Sequence, residues 1–356
     1  MIAANSPRIV LHVGAPKTAS TYIQRRLRAN AEQLRKHGIY LPVLPEVAEM
    51  AGNAKLLAVA LSGRVSSTFQ RAFPKIDVNA LDPVQIVVEL LKDWRSDSES
   101  LVLSAENLRP KQARPLRELL PTTTPCVVVL FVRRQDRWVD SYFNQLVKTN
   151  EIHERPTTFI ERLGRDDDEH RFCPDWFSHY EVWRNAFGNC EVVFYDEVAS
   201  DVFSAFLEAA GLGPVPDLID IHPAQVSLDV YELAYLLDQK GPIDYPQFIR
   251  RKDAAEKASR DLGVRKHCSL LSNDDLAWLR ERFADSNRRL IAALGRSEKD
   301  SPLQLDQSSN SGAYCSLLEL YASEPYARFR NLADAIYARR NRRDRFKAFF
   351  KRSVPE

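Results

Sequence analysis

The chain has 356 residues, 44% of them apolar and 28% charged, with 50 Lys/Arg against 48 Asp/Glu for a formal charge of +2. These values are those of a soluble globular protein built as one large α/β domain or two smaller ones, and they exclude a fibrous or disordered chain. The charge is uneven, since residues 336–356 carry eight Arg/Lys against Asp344 and Glu356, yet no nucleic-acid partner is expected.

Residues 9–13 form a short apolar run with β-branched members, the pattern of a buried strand. Gly14, Ala15, Pro16 and Lys17 break it, with a Gly that permits close backbone approach and a Pro that cannot donate to a ladder. Thr18, Ser20 and Thr21 are suited to capping, and a helix follows with Tyr22, Ile23, Leu27 and Leu34 at near-helical spacing. Strand, tight loop, lysine, hydroxyls and helix start together predict an anion cradle. Free N–H groups and the helix dipole would face a phosphate or sulfate, and Lys17 adds a full charge. A Walker A loop needs a second Gly just before the lysine, and here there is none.

Residues 37–42 read as a helix stop and a short extended segment, and 52–73 as helical pieces broken at Ser66 and Ser67. Pro83 opens a helix to Trp94 with Val84, Val87, Val88, Leu91 and Trp94 on one face. A second strand covers 101–104 and ends at Ala105, Glu106 and Asn107; a short helix spans 116–120. The third strand, 127–132, is uniformly apolar and turns at Arg133, Arg134, Gln135 and Asp136 into a helix over 138–148. A helix over 175–187, a strand over 190–195 and a helix over 202–210 complete an alternating pattern, which predicts a parallel sheet covered on both faces. Beyond 227 the pattern is helical over 228–237, 274–294 and 314–321, with 297–312 as a linker or mobile loop.

Arg133 at the end of the third strand is followed eight residues later by Ser141 on the next helix. An Arg fork suits a phosphate, and a Ser one or two turns into the helix suits the same oxygens. Arg134 and Arg137 offer the same chemistry in a shifted register. The two motifs in this order resemble those of 3′-phosphoadenylyl-sulfate-dependent sulfotransferases, in the bacterial branch related to carbohydrate sulfotransferases. That family's 5′-phosphosulfate loop runs roughly Pro-Lys-Ser/Thr-Gly-Thr-Thr, and Lys17, Thr18, Ser20 and Thr21 match it, with Ala19 in place of Gly. Gln135 stands where the family has Pro. Asp175–Gly188 and the Ser286-Asn287 pair add to a similarity that covers 8–295.

The resemblance implies a P-loop-like three-layer α/β/α fold over 1–295 with a central mainly parallel sheet; outside it, the residue pattern predicts a linker or mobile loop at 296–312 and a helical basic extension over 313–356. It implies 3′-phosphoadenosine-5′-phosphosulfate (PAPS) as sulfuryl donor, with Gly14, Lys17, Thr18, Ala19, Ser20 and Thr21 at its 5′ end and Arg133 and Ser141 at its 3′-phosphate. No metal is demanded. The acceptor is a hydroxyl or amine, most simply of a carbohydrate or glycan, held by loops within 40–80 and 150–180 and by the helical region after 227. Lys17 stabilises the leaving group. The acceptor's base is Glu106, at a strand's carboxyl end where open α/β sheets place ligands, or His12 in the first strand. The rival classes are a P-loop nucleotide kinase or NTPase and a non-catalytic nucleotide-binding protein.

Five cysteines, 126, 173, 190, 268 and 315, are scattered without a Cys-x-x-Cys pair, which predicts no disulfide framework and a reducing cytoplasm. No secretory leader or membrane span is expected. His170, His179, His222 and His267 lack metal-ligand spacing, the 166–169 acidic run reads as a solvated loop, and Arg250, Arg251 and Lys252 as a solvated face, with contact to a polyanionic acceptor or the cofactor phosphate as the alternative. In the tail, Phe346, Phe349 and Phe350 share one helical face among the basic residues. It reads equally as a packed terminal helix or as a peripheral contact with an anionic membrane.

Overall fold

The computed structural model describes residues 6–45, 52–65, 67–163, 172–221, 227–238, 243–264, 266, 268–304 and 314–353, with the backbone alone at 67, 68 and 343–353. His170, His222, His267, the 166–169 run and the side chains of Phe346, Phe349 and Phe350 therefore lie outside the described residues.

Five strands, β1 Ile9–His12, β2 Ile39–Tyr40, β3 Ser100–Ser104, β4 Cys126–Val132 and β5 Cys190–Phe194, form a parallel sheet in the order β2-β3-β1-β4-β5. The chain moves from β1 outward to one edge and then crosses to the other. The switch point is therefore at β1, where this architecture places ligands beyond the carboxyl ends. All seven residues of β4 are buried, as expected of a strand covered on both faces. On one face Val10, Val127, Val129 and Phe131 pack with Ile23 and Leu27 of helix α1 (Ser20–Ala29) and with Phe203 and Phe206.

The helices that follow α1 are α2 Ala31–Lys36, α3 Lys55–Ser62, α4 Ser67–Ala72, α5 Pro83–Leu91, α6 Ala113–Leu119, α7 Gln135–Lys148, α8 Pro156–Glu161 and α9 Trp176–Phe187. Then come α10 Tyr195–Val198, α11 Val202–Ala209, α12 Val230–Leu237, α13 Tyr245–Leu262, α14 Asn273–Ala293, α15 Leu317–Ala322 and α16 Glu324–Ser353. Helix α11, with Phe203 and Phe206, lies on the α1 face of the sheet, and α9 packs on β4 and β5. None of the described helices is long and apolar enough to cross a membrane.

The chain groups into two compact units that interleave in sequence. The first, Met1–Trp138, Pro174–Gln225 and Arg282–Gln304, carries the sheet; the second is Val139–Cys173, Val226–Glu281 and Leu305–Glu356. The second unit is helical. Its core stacks Tyr231 on Tyr326 and Phe329, and Tyr235 sends its hydroxyl to Asp334 at 2.7 Å.

Four local expectations are corrected. The first helix is two helices, because the Asn30 side chain takes the Arg26 carbonyl and bonds both backbone groups of Ile219. Helix α5 buries Ile86, Val87 and Leu90, leaving Val84 and Val88 49% and 54% exposed. An 83–91 segment that is apolar nearly all round let the wrong stripe be read. Residues 250–252 are half-buried in α13, which starts at the Asp244 cap and packs on α16; Arg251 donates to the Tyr235 carbonyl at 3.1 Å and Lys252 pairs with Glu256 at 3.2 Å. Finally, Cys268 and Cys315 are disulfide-bonded, whereas Cys126, Cys173 and Cys190 are free. A separation of 47 residues carries no signal of pairing in the sequence.

Candidate active site

The first strand delivers the loop. Beyond His12 the pairing with β4 continues: Val13 N–H donates to Val129 O, Ala15 N–H to Phe131 O, and Phe131 N–H to Gly14 O at 2.7 Å. Gly14 has φ +97°, and a Cβ there would lie 3.0 Å from the Glu106 carbonyl oxygen and 3.2 Å from its Cα. Glycine is thus required twice, for its dihedral and for the approach of β3's carboxyl end.

The carbonyls of Ala15, Pro16 and Lys17 are each occupied by a side-chain donor. The Thr18 and Ser20 hydroxyls donate to Ala15 O at 2.6 and 2.9 Å, Trp138 Nε1 to Pro16 O at 2.8 Å, and Arg133 Nη1 to Lys17 O at 3.3 Å. In a planar trans peptide the N–H opposes the C=O. The N–H groups of Lys17 and Thr18 therefore point away from Trp138 and from the Arg133 guanidinium. Lys17 and Ala19 are left-handed, with φ 66° and 64°. Such alternation builds a nest of N–H groups, a concavity for an anion. Helix α1 then begins with no acidic residue in its first turn, which leaves its positive end uncompensated. Thr18 and Ser20 do not cap it: its N-cap is Ala19, with no side-chain cap bond, because both hydroxyls are committed to Ala15. Thr21 is half-buried in the first turn of the helix.

Arg133 closes one flank of the loop. Its guanidinium stacks 4.9 Å over the Tyr195 ring, its backbone carbonyl accepts from Trp176 Nε1 at 2.8 Å, and Asp196 Oδ1 lies 3.7 Å from its Nε. Arg134 is turned away and held bidentate by Asp136, while Arg137 pairs with Asp196 at 2.9 Å. Arg133 thus reaches the Lys17 backbone. Gln135, in the family's proline position, is buried and hydrogen-bonded to Asn287 at 2.7 Å and to the Pro174 carbonyl. Ser286 donates to Asp175, the N-cap of α9, at 2.6 Å. Ser141 is half-buried on α7, in the stretch of that helix assigned to the second unit.

The two base candidates sit in different surroundings. His12 is fully buried between the edges of Phe131 and Phe206, with Nδ1 2.8 Å from Ser104 Oγ, and burial pushes its pKa from 6.5 down to about 3. Burial therefore favours its neutral form. Glu106 is half-buried at the carboxyl end of β3, with its backbone against Gly14. Among the described residues, no cluster of three or more His, Cys, Asp or Glu could hold a metal. In the sequence, Trp176 stands out only as part of the Asp175–Gly188 stretch, and no site role falls to Trp138, Tyr195 or Asp196. The one available signal was that Tyr195 and Asp196 follow a strand directly, as Glu106 does.

Compared by sequence, the chain matches no family model and no curated protein. Among solved structures, a sulfotransferase from Alicyclobacillus acidocaldarius is similar over 82% of this chain and 97% of its own, at 13% identity and a TM-score of 0.48. A sulfotransferase domain from the curacin biosynthetic pathway is similar over 82% of this chain and 98% of its own, at 12% identity and a TM-score of 0.36.

Proposed function

We propose that the chain is a sulfotransferase that moves a sulfuryl group from PAPS to a hydroxyl or amine, with a carbohydrate or glycan as the acceptor class. The observation that carries this reading is the placing of the nest at residues 17–19 and of Arg133, which bonds the Lys17 carbonyl, at the switch point of the sheet. The residues fit a donor with two anionic ends: the nest, the α1 N-terminus and Lys17 for the phosphosulfate, and Arg133 for the second phosphate. When bound, the donor supplies an activated sulfuryl group on a phosphate leaving group. Lys17 and the Thr18 N–H stabilise charge gathering on the bridging oxygen as its bond to sulfur breaks. Glu106 takes the acceptor proton as the new oxygen–sulfur or nitrogen–sulfur bond forms.

The first test compares thermal stabilisation by 3′-phosphoadenosine 5′-phosphate with that by ATP and magnesium. The bisphosphate is expected to stabilise the protein; stabilisation by ATP alone would make the chain a nucleoside-triphosphate binder instead. The second is Lys17→Ala, for which transfer should fall by about two to three orders of magnitude while bisphosphate binding is largely kept. Full activity in that variant removes Lys17 from the chemistry.

A further inference from the structure

We propose that Asp196 is the positioning residue of this site: from the carboxyl end of β5 it fixes the turn at 133–137 and so presents Arg133 to a phosphate monoester. The inference rests on the sulfotransferase reading and names how its second phosphate is recognised.

The carboxylate of Asp196 addresses three residues of that turn. Oδ2 accepts from the Arg134 backbone N–H at 3.1 Å; Oδ1 accepts from Arg137 Nη1 at 2.9 Å and lies 3.7 Å from Arg133 Nε. At 3.7 Å the last contact is an ion pair without a hydrogen bond, and Arg133 Nε has no hydrogen-bond partner among the described residues. Asp196 thus orients the guanidinium by charge and leaves a buried donor unspent. Tyr195, its chain neighbour, supplies the surface on which the guanidinium lies, and Trp176 holds the Arg133 carbonyl. Edge, face and backbone of one arginine are fixed from three directions, as a preorganised anion ligand requires.

The electrostatics separate this role from that of a plain ion pair. Arg134 and Asp136 neutralise each other. Arg133 and Arg137 together face one carboxylate, so the cluster keeps a net positive charge that a dianionic phosphate can meet. The turn also lacks the proline that would stiffen it, since Gln135 occupies that position. Asp196 replaces covalent stiffness with a hydrogen bond to the Arg134 N–H.

The experiment measures equilibrium binding of 3′-phosphoadenosine 5′-phosphate and of adenosine 5′-phosphate, which lacks the second phosphate, to the full chain. The wild type should prefer the bisphosphate. Asp196→Asn should weaken bisphosphate binding about tenfold and leave the monophosphate nearly unchanged, which collapses the ratio. In an Arg133→Ala background the same substitution should cost nothing further, because Asp196 acts through Arg133. Equal weakening of both nucleotides, or an unchanged ratio, overturns the assignment. Should Asp196→Asn fail to fold, Asp196→Glu keeps the charge but shifts the carboxylate; a lowered ratio supports the assignment and an unchanged one overturns it. A wild type that does not distinguish the two nucleotides removes the sulfotransferase reading itself. A discriminating wild type with an unaffected variant removes Asp196 alone.

Discussion

Ala19 stands where the resembling family has glycine, and its φ of 64° is the conformation a glycine would take without strain. An L-residue held there costs about 1–2 kcal/mol. The surroundings impose it: the hydroxyls on either side, Thr18 and Ser20, both bind Ala15 O, and Ala19 O accepts from Ile23 N–H to start α1. The loop therefore holds an L-residue in this conformation and carries the strain. Ala19→Gly should raise stability by about 1 kcal/mol or somewhat less, since glycine also gains freedom in the unfolded chain. Chemical denaturation measures it. A loss of stability would mean that the Ala19 methyl group contributes more by packing than its dihedral costs.

At the scale of elements, β1 combines a strand and a polar anchor. His12 sits opposite Ser104 of β3, and the Ser104 hydroxyl also accepts from Gln24 of α1 at 3.1 Å, so one imidazole helps tie three elements together. Burial holds its pKa at about 3 in the fold, against an ordinary value of 6.5. Between those values the unfolded chain binds a proton that the native state does not. Stability contributed by this group is complete above pH 6.5 and declines as the pH falls, by on the order of 1.4 kcal/mol per unit. His12→Asn should flatten the dependence of unfolding free energy on pH between 6 and 4 by about one proton; an unchanged slope would mean His12 is not the neutral buried group described. Strands such as β4 were legible because a run of buried β-formers has one physical meaning. Helix α13 was not, since its buried positions include Ala254, Ala255 and Ala258, which give little apolar contrast among charged residues. At the candidate site, the strand ends that carry Lys17 and Arg133 were legible from their apolar runs, and the structure brings the two residues together. The nest and Asp196 were not legible, because backbone dihedrals and a partner 63 residues beyond Arg133 leave no local pattern.

For the whole molecule, the crosslink addresses a problem set by chain order. Cys268 and Cys315 both belong to the second unit, but the chain between them leaves it at Arg282 and returns at Leu305. Helix α14 makes the outward passage, beginning in the second unit and ending in the first. Without a crosslink, bringing together the segments before α14 and before α15 costs the entropy of closing that excursion. The bond sits beside the Ser269–Tyr314 bridge, where Cys315 N–H donates to Ser269 O at 2.9 Å, so it fastens the point at which the second unit is rejoined. For a separation of 47 residues the chain-entropy estimate is about 4 kcal/mol, and measured effects commonly fall between about 2 and 4 kcal/mol. Reduction, or Cys315→Ser, should therefore lower the denaturant stability of the second unit by that amount, while Cys173→Ser should not. Nucleotide binding offers the control: the nest and Arg133 lie wholly in the first unit, so affinity for the bisphosphate should survive reduction under native conditions. Stability unaffected by reduction would show that the helical core around Tyr231, Tyr326 and Phe329 closes the excursion without help from the disulfide.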